Sequence, residues 1–283
     1  MRLIDSHAHL QAGPFEADRR VVIDEAFQAG IERLLVPGWD ARSSAAALAM
    51  AQADTRIDAA VGVHPHDAAT CSDAEWAQVV WLAGDQRVVA IGETGLDFDR
   101  MHSPREAQLA NLRRHLRLAL ERGKPAILHC RSAAGERDAQ DALLSELRAA
   151  GFGGTAVRAA FGDCPPAVLH SFSGPVDYAE AALEMGLAIS FSGLVFRRGE
   201  EASADVARLV PAERLLIETD SPYLAPPGVP RGPVPGFGGR RNSPQWVRVT
   251  AEWLAERRGQ SLDSIGAGFV AAYDATFRRH SPG

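Results

Sequence analysis

Short apolar runs alternate along the chain with longer stretches whose apolar positions recur every three or four residues. The runs "RLIDSH" (2–7), "ERLLVPG" (32–38), "RIDAAVGVH" (56–64), "VVAIGE" (88–93), "PAILHC" (125–130), "AVLHSF" (167–172), "LAISFSG" (187–193) and "RLLIETD" (214–220) predict β-strands. Between them, "REAQLANLRRHLRLALERG" (105–123) sets Leu109, Leu112, Leu116 and Leu120 on one face and ends in a glycine, the pattern of an amphipathic helix. "EAFQAGI", "ARSSAAALAMAQA", "DAEWAQVVWLAG", "DAQDALLSELRAAG", "DYAEAALEMG" and "EASADVARLV" fill the same place in the other repeats. Strands alternating with helices imply parallel pairing through helical crossovers. Eight such repeats predict an α/β fold, a closed (β/α)8 TIM barrel, with a doubly wound open sheet as the alternative. Two Gly- and Pro-rich segments, 151–166 and 226–244, interrupt the rhythm and read as long loops. Two helices, about 243–258 and 261–278, end the chain, the last expected to pack against the barrel.

The polar residues fall at the C-terminal ends of the predicted strands. Strand one ends in His7 and His9, strand three in "GVHPH" with His64 and His66, and strand four in Glu93. Strand five ends in His129, strand six in His170 and strand eight in "ETD" with Asp220. Alternate residues of a strand share a face, so His7 and His9 aim into one space. Taken singly each residue has an ordinary reading: a core histidine, a helix-start acid, a turn cap. Their recurrence at one end of separate repeats points instead to a metal centre at the barrel mouth, where barrel enzymes keep their active sites. Four histidines and two acids suit two divalent ions, with His7, His9 and Asp220 on one, His129 and His170 on the other, and Glu93 as the bridge. Mixed nitrogen and oxygen ligands suit Zn, Mn, Fe or Co, and Mg more weakly. His102, His115 and His280 read as loop or helix-surface residues.

A length of 283 residues accommodates one barrel domain over 1–283, about 250 residues being typical. The net charge of −6 excludes a global basic field for nucleic acid, so an acidic substrate must be held by local cations or ions. Three cysteines, Cys71, Cys130 and Cys164, form no CxxC and argue against a disulfide framework, consistent with a reducing cytoplasmic setting. The N-terminus turns polar after four residues, unlike a signal peptide, and no run of about 18 apolar residues predicts a membrane span. No obligate protein partner is evident.

The motifs "DSHAHL", "GVHPH", "GETGLD", "ILHCR", "LHSFSG", "ISFSG", "ETDSPYLAP" and "RRN" stand in order over residues 5 to 242. In these the chain resembles the TatD family of metal-dependent hydrolases, within the wider amidohydrolase-like barrels. The resemblance implies a two-metal deoxyribonuclease that trims DNA, with single strands and 3′ ends favoured. By matching motifs, His7, His9, Glu93, His129, His170 and Asp220 become the metal ligands. His64 becomes the histidine that contacts the substrate phosphate. The chain departs from the family pattern in a longer stretch between His129 and His170, which reads as an insertion near the mouth. It departs also in a longer segment before "RRN", and in Ser132 where an acid is expected. Related barrels that cleave amides or phosphotriesters bridge their ions with a carboxylated lysine on strand four. Here Glu93 holds that place, and the only lysine, Lys124, begins strand five at the opposite mouth.

The expected activity is a metal-dependent 3′–5′ exodeoxyribonuclease using two divalent ions (Mg, Mn or Zn), with Asp220 as general base and Glu93 and His64 completing the catalytic set. Arg131, Arg240 and Arg241 are candidates to neutralise the phosphate, and Tyr223, Phe172 or Phe237 to stack a base, although each also reads as an ordinary ion pair or packing residue. Tight duplex binding needs many phosphate contacts, and no basic stripe supplies them, so single-stranded DNA ends fit better. One alternative is a metal-dependent esterase such as a D-aminoacyl-tRNA deacylase, told apart by its products. Another is a metal-binding partner protein without turnover.

Overall fold

The computed structural model describes residues 2–230 and 240–277. Its strands are β1 (Leu3–Asp5), β2 (Ile31–Pro37), β3 (Ile57–Val61), β4 (Val88–Asp97), β5 (Ala126–Arg131), β6 (Ala167–Leu169), β7 (Ala188–Phe191) and β8 (Leu215–Ile217). They form one sheet in sequence order, all pairs parallel. The α-helices among the described residues are α1 (Arg19–Gln28), α2 (Ala41–Ala53), α3 (Asp73–Leu82), α4 (Arg105–Arg122), α5 (Asp138–Ala149), α6 (Thr155–Phe161), α7 (Val176–Glu184), α8 (Ser203–Leu209), α9 (Val247–Arg258) and α10 (Leu262–Thr276). This is the expected (β/α)8 barrel. β4 is buried along its whole length because helices cover one face of the sheet and interior side chains the other. No described helix is long and apolar enough to cross a membrane.

Local chemistry explains the helix boundaries. Ser72 and Glu75 form a reciprocal capping box at the start of α3, as do Asp40 and Ser43 at α2. The glycine stop read from the sequence is Gly123, left-handed at φ 61°, whose N–H closes the last turn of α4 on Ala119 and Leu120. Ser132 accepts from the Ala139 N–H at 2.9 Å and so anchors the start of α5.

The barrel closes without a full ladder between β8 and β1. Ser6 N–H donates to Ile217 O at 3.0 Å, Asp220 N–H to His7 O at 2.9 Å and His9 N–H to Ser221 O at 2.8 Å. Asp5 ties the same seam, accepting from the Thr219 hydroxyl at 2.6 Å and its N–H at 2.9 Å. At the other end α10 packs on β1 and β8, as expected of the last helix, and its Tyr273 hydroxyl donates to the buried Asp58 at 3.0 Å.

Two expectations are corrected. The segment 151–166 is not a loop near the mouth: it contains α6 and precedes β6. Its Phe161 and Cys164 line one groove with Gly186 and Arg214 and another with Lys124 and Pro125, all at strand starts, opposite the histidines. Alanine-rich "TAVRAAF" is a good helix former, and the flanking glycines masked it. Only part of the second predicted loop, 226–244, lies within the described residues.

His115 is not on a helix surface. It is fully buried, its Nε2 accepts from Val63 N–H at 2.9 Å, and its Nδ1 faces Asn111 O at 2.7 Å. Burial pulls its pKa from 6.5 down to about 3. The unfolded chain takes a proton below pH 6.5 that the folded chain refuses until about pH 3, so stability falls as pH drops through that window. The loss from this group is bounded by roughly 1.4 kcal/mol per pH unit. His115→Gln keeps a donor and an acceptor without titrating. Denaturant midpoints at neutral and mildly acid pH are expected to fall further for wild type than for this variant, and equal falls would contradict it.

Candidate metal centre

The closing seam brings residues 5–9 against 218–221 and aims three side chains inward. His7 Nε2 and His9 Nε2 lie 3.1 Å apart. Asp220 Oδ1 stands 3.4 Å from His9 Nε2 and 3.8 Å from His7 Nε2. Asp220 adopts φ 53°, a left-handed conformation that Asp tolerates because its short polar side chain bonds locally. β4 supplies Glu93 and, contrary to expectation, does not end there but continues to Asp97. Gly95 pairs with His129 of β5, and a Cβ on it would come 1.9 Å from the His129 carbonyl oxygen. Glycine therefore lets β4 press against the His129 backbone.

Glu93 is the centre of the arrangement. Its Oε2 lies 3.2 Å from His7 Nε2 and 3.5 Å from His9 Nε2. Its Oε1 lies 2.9 Å from His170 Nε2, 3.2 Å from His129 Nδ1 and 3.3 Å from His64 Nε2. Each oxygen thus faces its own set of imidazoles. Three groups, His7–His9–Asp220, His7–Glu93–His170 and His64–Glu93–His129, bring their donor atoms within 4.8 Å of one another. Burial alone would raise the pKa of Glu93, but the surrounding imidazoles, His170 first, hold it well below the usual carboxylate range. The same opposition, with His9 as the hydrogen-bond partner, lowers Asp220. Burial carries His64 down to about 4, against the pull of Glu93. Anionic oxygens and imidazole nitrogens converging in one buried space form the donor set of a divalent cation. Nδ1 of both His7 and His9 is buried without a hydrogen-bond partner among the described residues, and the inward Nε2 atoms are the ones placed to bind.

The sequence pattern of the family described as TatD related DNase matches residues 4–278. The chain belongs to this family. The TatD-family chain is 32% identical over 265 residues to the uncharacterized metal-dependent hydrolase YabD of Bacillus subtilis, covering 94% of each. It is 36% identical over 260 residues to the 3′-5′ ssDNA/RNA exonuclease TatD of Enterobacter lignolyticus, covering 91% of this chain and 92% of that one. Among solved structures, the TatD homologue YjjV of Escherichia coli superposes with TM-score 0.80 at 29% identity, covering 98% of both chains. This TatD-family protein is a metal-dependent hydrolase.

The remaining sequence candidates scatter. Arg131 sits at the rim, paired with Asp99 at 2.8 Å. Tyr223 is half exposed there, its ring 6.0 Å from that of His9. Arg240 is exposed. Arg241 is held by Asp18 through two bonds of 2.7 and 2.6 Å, donates to Pro14 O and lies over the Phe15 ring. Phe172 is no base platform: it is buried in the core against Tyr178, and Phe237 lies outside the described residues.

Two acids escaped the sequence reading. Asp97 Oδ2 lies 2.8 Å from His66 Nε2 and 3.3 Å from His129 Nε2. Glu218 Oε1 lies 3.1 Å from His170 Nδ1. Strand parity was the available signal, since Asp97 is an even step from Glu93 and Glu218 an even step from Asp220.

Proposed function

We propose that this hydrolase removes nucleotides from the 3′ ends of single-stranded DNA, using two divalent ions, Mg, Mn or Zn. His7, His9 and Asp220 hold one ion, His129 and His170 the other, and Glu93 joins them. The observation that carries the reading is Glu93 itself, whose two oxygens face two different sets of imidazoles. When bound, such a pair supplies Lewis acidity and charge neutralisation for in-line displacement at phosphorus.

The chain's own residues supply the rest. Asp220, anionic at the mouth, accepts the proton of the attacking water. His64 is the substrate-side group, and its hydrogen bonding supports that role. Its Nδ1 accepts the His66 N–H at 3.1 Å, so the neutral ring carries its proton on Nε2, the atom that points inward. An inward N–H donates to a phosphate oxygen and cannot ligate a cation. Arg131 at the rim and the exposed Arg240 take the backbone phosphates, and Tyr223 offers a stacking face. The acidic net charge and the names of the relatives both favour short single-stranded ends over duplex.

Metal-stripped protein reloaded separately with Mg, Mn and Zn is to be tested on 5′-labelled single-stranded DNA, with Glu93→Ala as control. A metal-dependent ladder shortening from the 3′ end, absent in the control, is the expected result. No ladder with metal demonstrably bound would overturn the substrate and turn attention to aminoacyl esters.

A further inference from the structure

The imidazoles around Glu93 are not equivalent on their outward sides. His170 turns Nε2 to Glu93 and Nδ1 to Glu218, and His129 turns Nδ1 to Glu93 and Nε2 to Asp97. Among the described residues, none partners the outward nitrogen of His7 or His9. We propose that Asp97 and Glu218 are positioning residues that fix the tautomers of His129 and His170 and so secure the ion position on the Oε1 side of Glu93. The inference rests on the two-ion reading above.

A neutral imidazole carries one proton. A carboxylate on the outward nitrogen draws the proton there, leaves the inward lone pair free for a cation, and locks the ring plane. Both carboxylates are themselves fixed. Glu218 is fully buried, and its Oε2 accepts from the Ser190 hydroxyl at 2.7 Å. Asp97 Oδ1 accepts the N–H groups of Asp99 at 3.1 Å and Arg100 at 2.8 Å.

The structure also predicts what an amide does at position 97. In Asp97→Asn the carbonyl oxygen must stay with the two backbone N–H groups, which leaves the new NH2 facing both His66 Nε2 and His129 Nε2. Facing an N–H, His129 Nε2 must then accept, and the ring proton moves to the inward Nδ1, the wrong tautomer for binding. Glu218→Gln is the milder change, because the serine hydroxyls can reverse and let the amide oxygen still accept from His170.

The test is calorimetric titration of metal-stripped wild type, Asp97→Asn and Glu218→Gln with Mn2+, alongside thermal unfolding of the ion-free proteins. Wild type is expected to show two binding events. Asp97→Asn is expected to weaken one of them by roughly 10- to 100-fold, Glu218→Gln the same one by less, with the other unchanged in both. A merely structural role would weaken both events together and lower the ion-free unfolding temperature in step, and that result overturns the inference. So do two events indifferent to both substitutions. Wild type that takes up fewer than two ions removes the two-ion reading itself and this inference with it.

Discussion

Glu93→Gln is expected to fold normally and to lose roughly a thousandfold or more in turnover, about 4 kcal/mol of transition-state stabilisation. The substitution keeps the shape of the side chain and replaces one oxygen by NH2. Whichever way the amide sits, its NH2 meets imidazole nitrogens that now face an anion: His7 and His9 on one side, or His64, His129 and His170 on the other. On the proposed two-ion reading, one ion position therefore loses its shared ligand. Steady-state turnover on single-stranded DNA and elemental analysis of bound metal check it together. Two ions retained with near-normal turnover would sink the bridging assignment, while lost turnover with two ions retained would move Glu93 from bridge to another role.

Asp220→Asn is expected to lower kcat by about 10²- to 10⁴-fold, the range of a removed general base. The variant is informative because the backbone tolerates it. Asp220 holds φ 53°, where Asn is among the few residues at ease, and its N–H bond to His7 O is a main-chain contact that survives. The seam that closes the barrel thus stays intact while the proposed proton acceptor goes. Separate kcat and KM values on the same DNA are the measurement. A loss confined to KM would make Asp220 a binding group rather than a base.

Much of this was legible because it depends on local period. Eight apolar runs alternating with amphipathic stretches dictate strands and helices whatever they pack against, and parallel pairing follows from the length of the crossovers. Ligand-type residues at the ends of separate runs needed only the barrel's polarity to be placed at one mouth. Where local signals conflicted the reading failed. The glycines flanking 155–161 masked a helix, and a histidine in the arginine-rich α4 passed for a surface residue. Arg241 shows the same limit, since nothing near it in sequence announces Asp18 as its partner.

The sequence by itself determined the (β/α)8 architecture, the inward parity of His7 and His9, and the gathering of Glu93, His129, His170 and Asp220 at one end. These follow from backbone geometry, which repeats every two residues in a strand and every 3.6 in a helix. Only the tertiary structure decided which nitrogen of each ring faces inward, that His64 Nδ1 is taken by the His66 N–H, and that Asp97 and Glu218 stand behind His129 and His170. Those are properties of pairs brought together by folding, His170 with Glu218 across 48 residues and His129 with Asp97 across 32. A ring's tautomer is set by its hydrogen-bond partner, and the partner is chosen by packing rather than by neighbours in sequence.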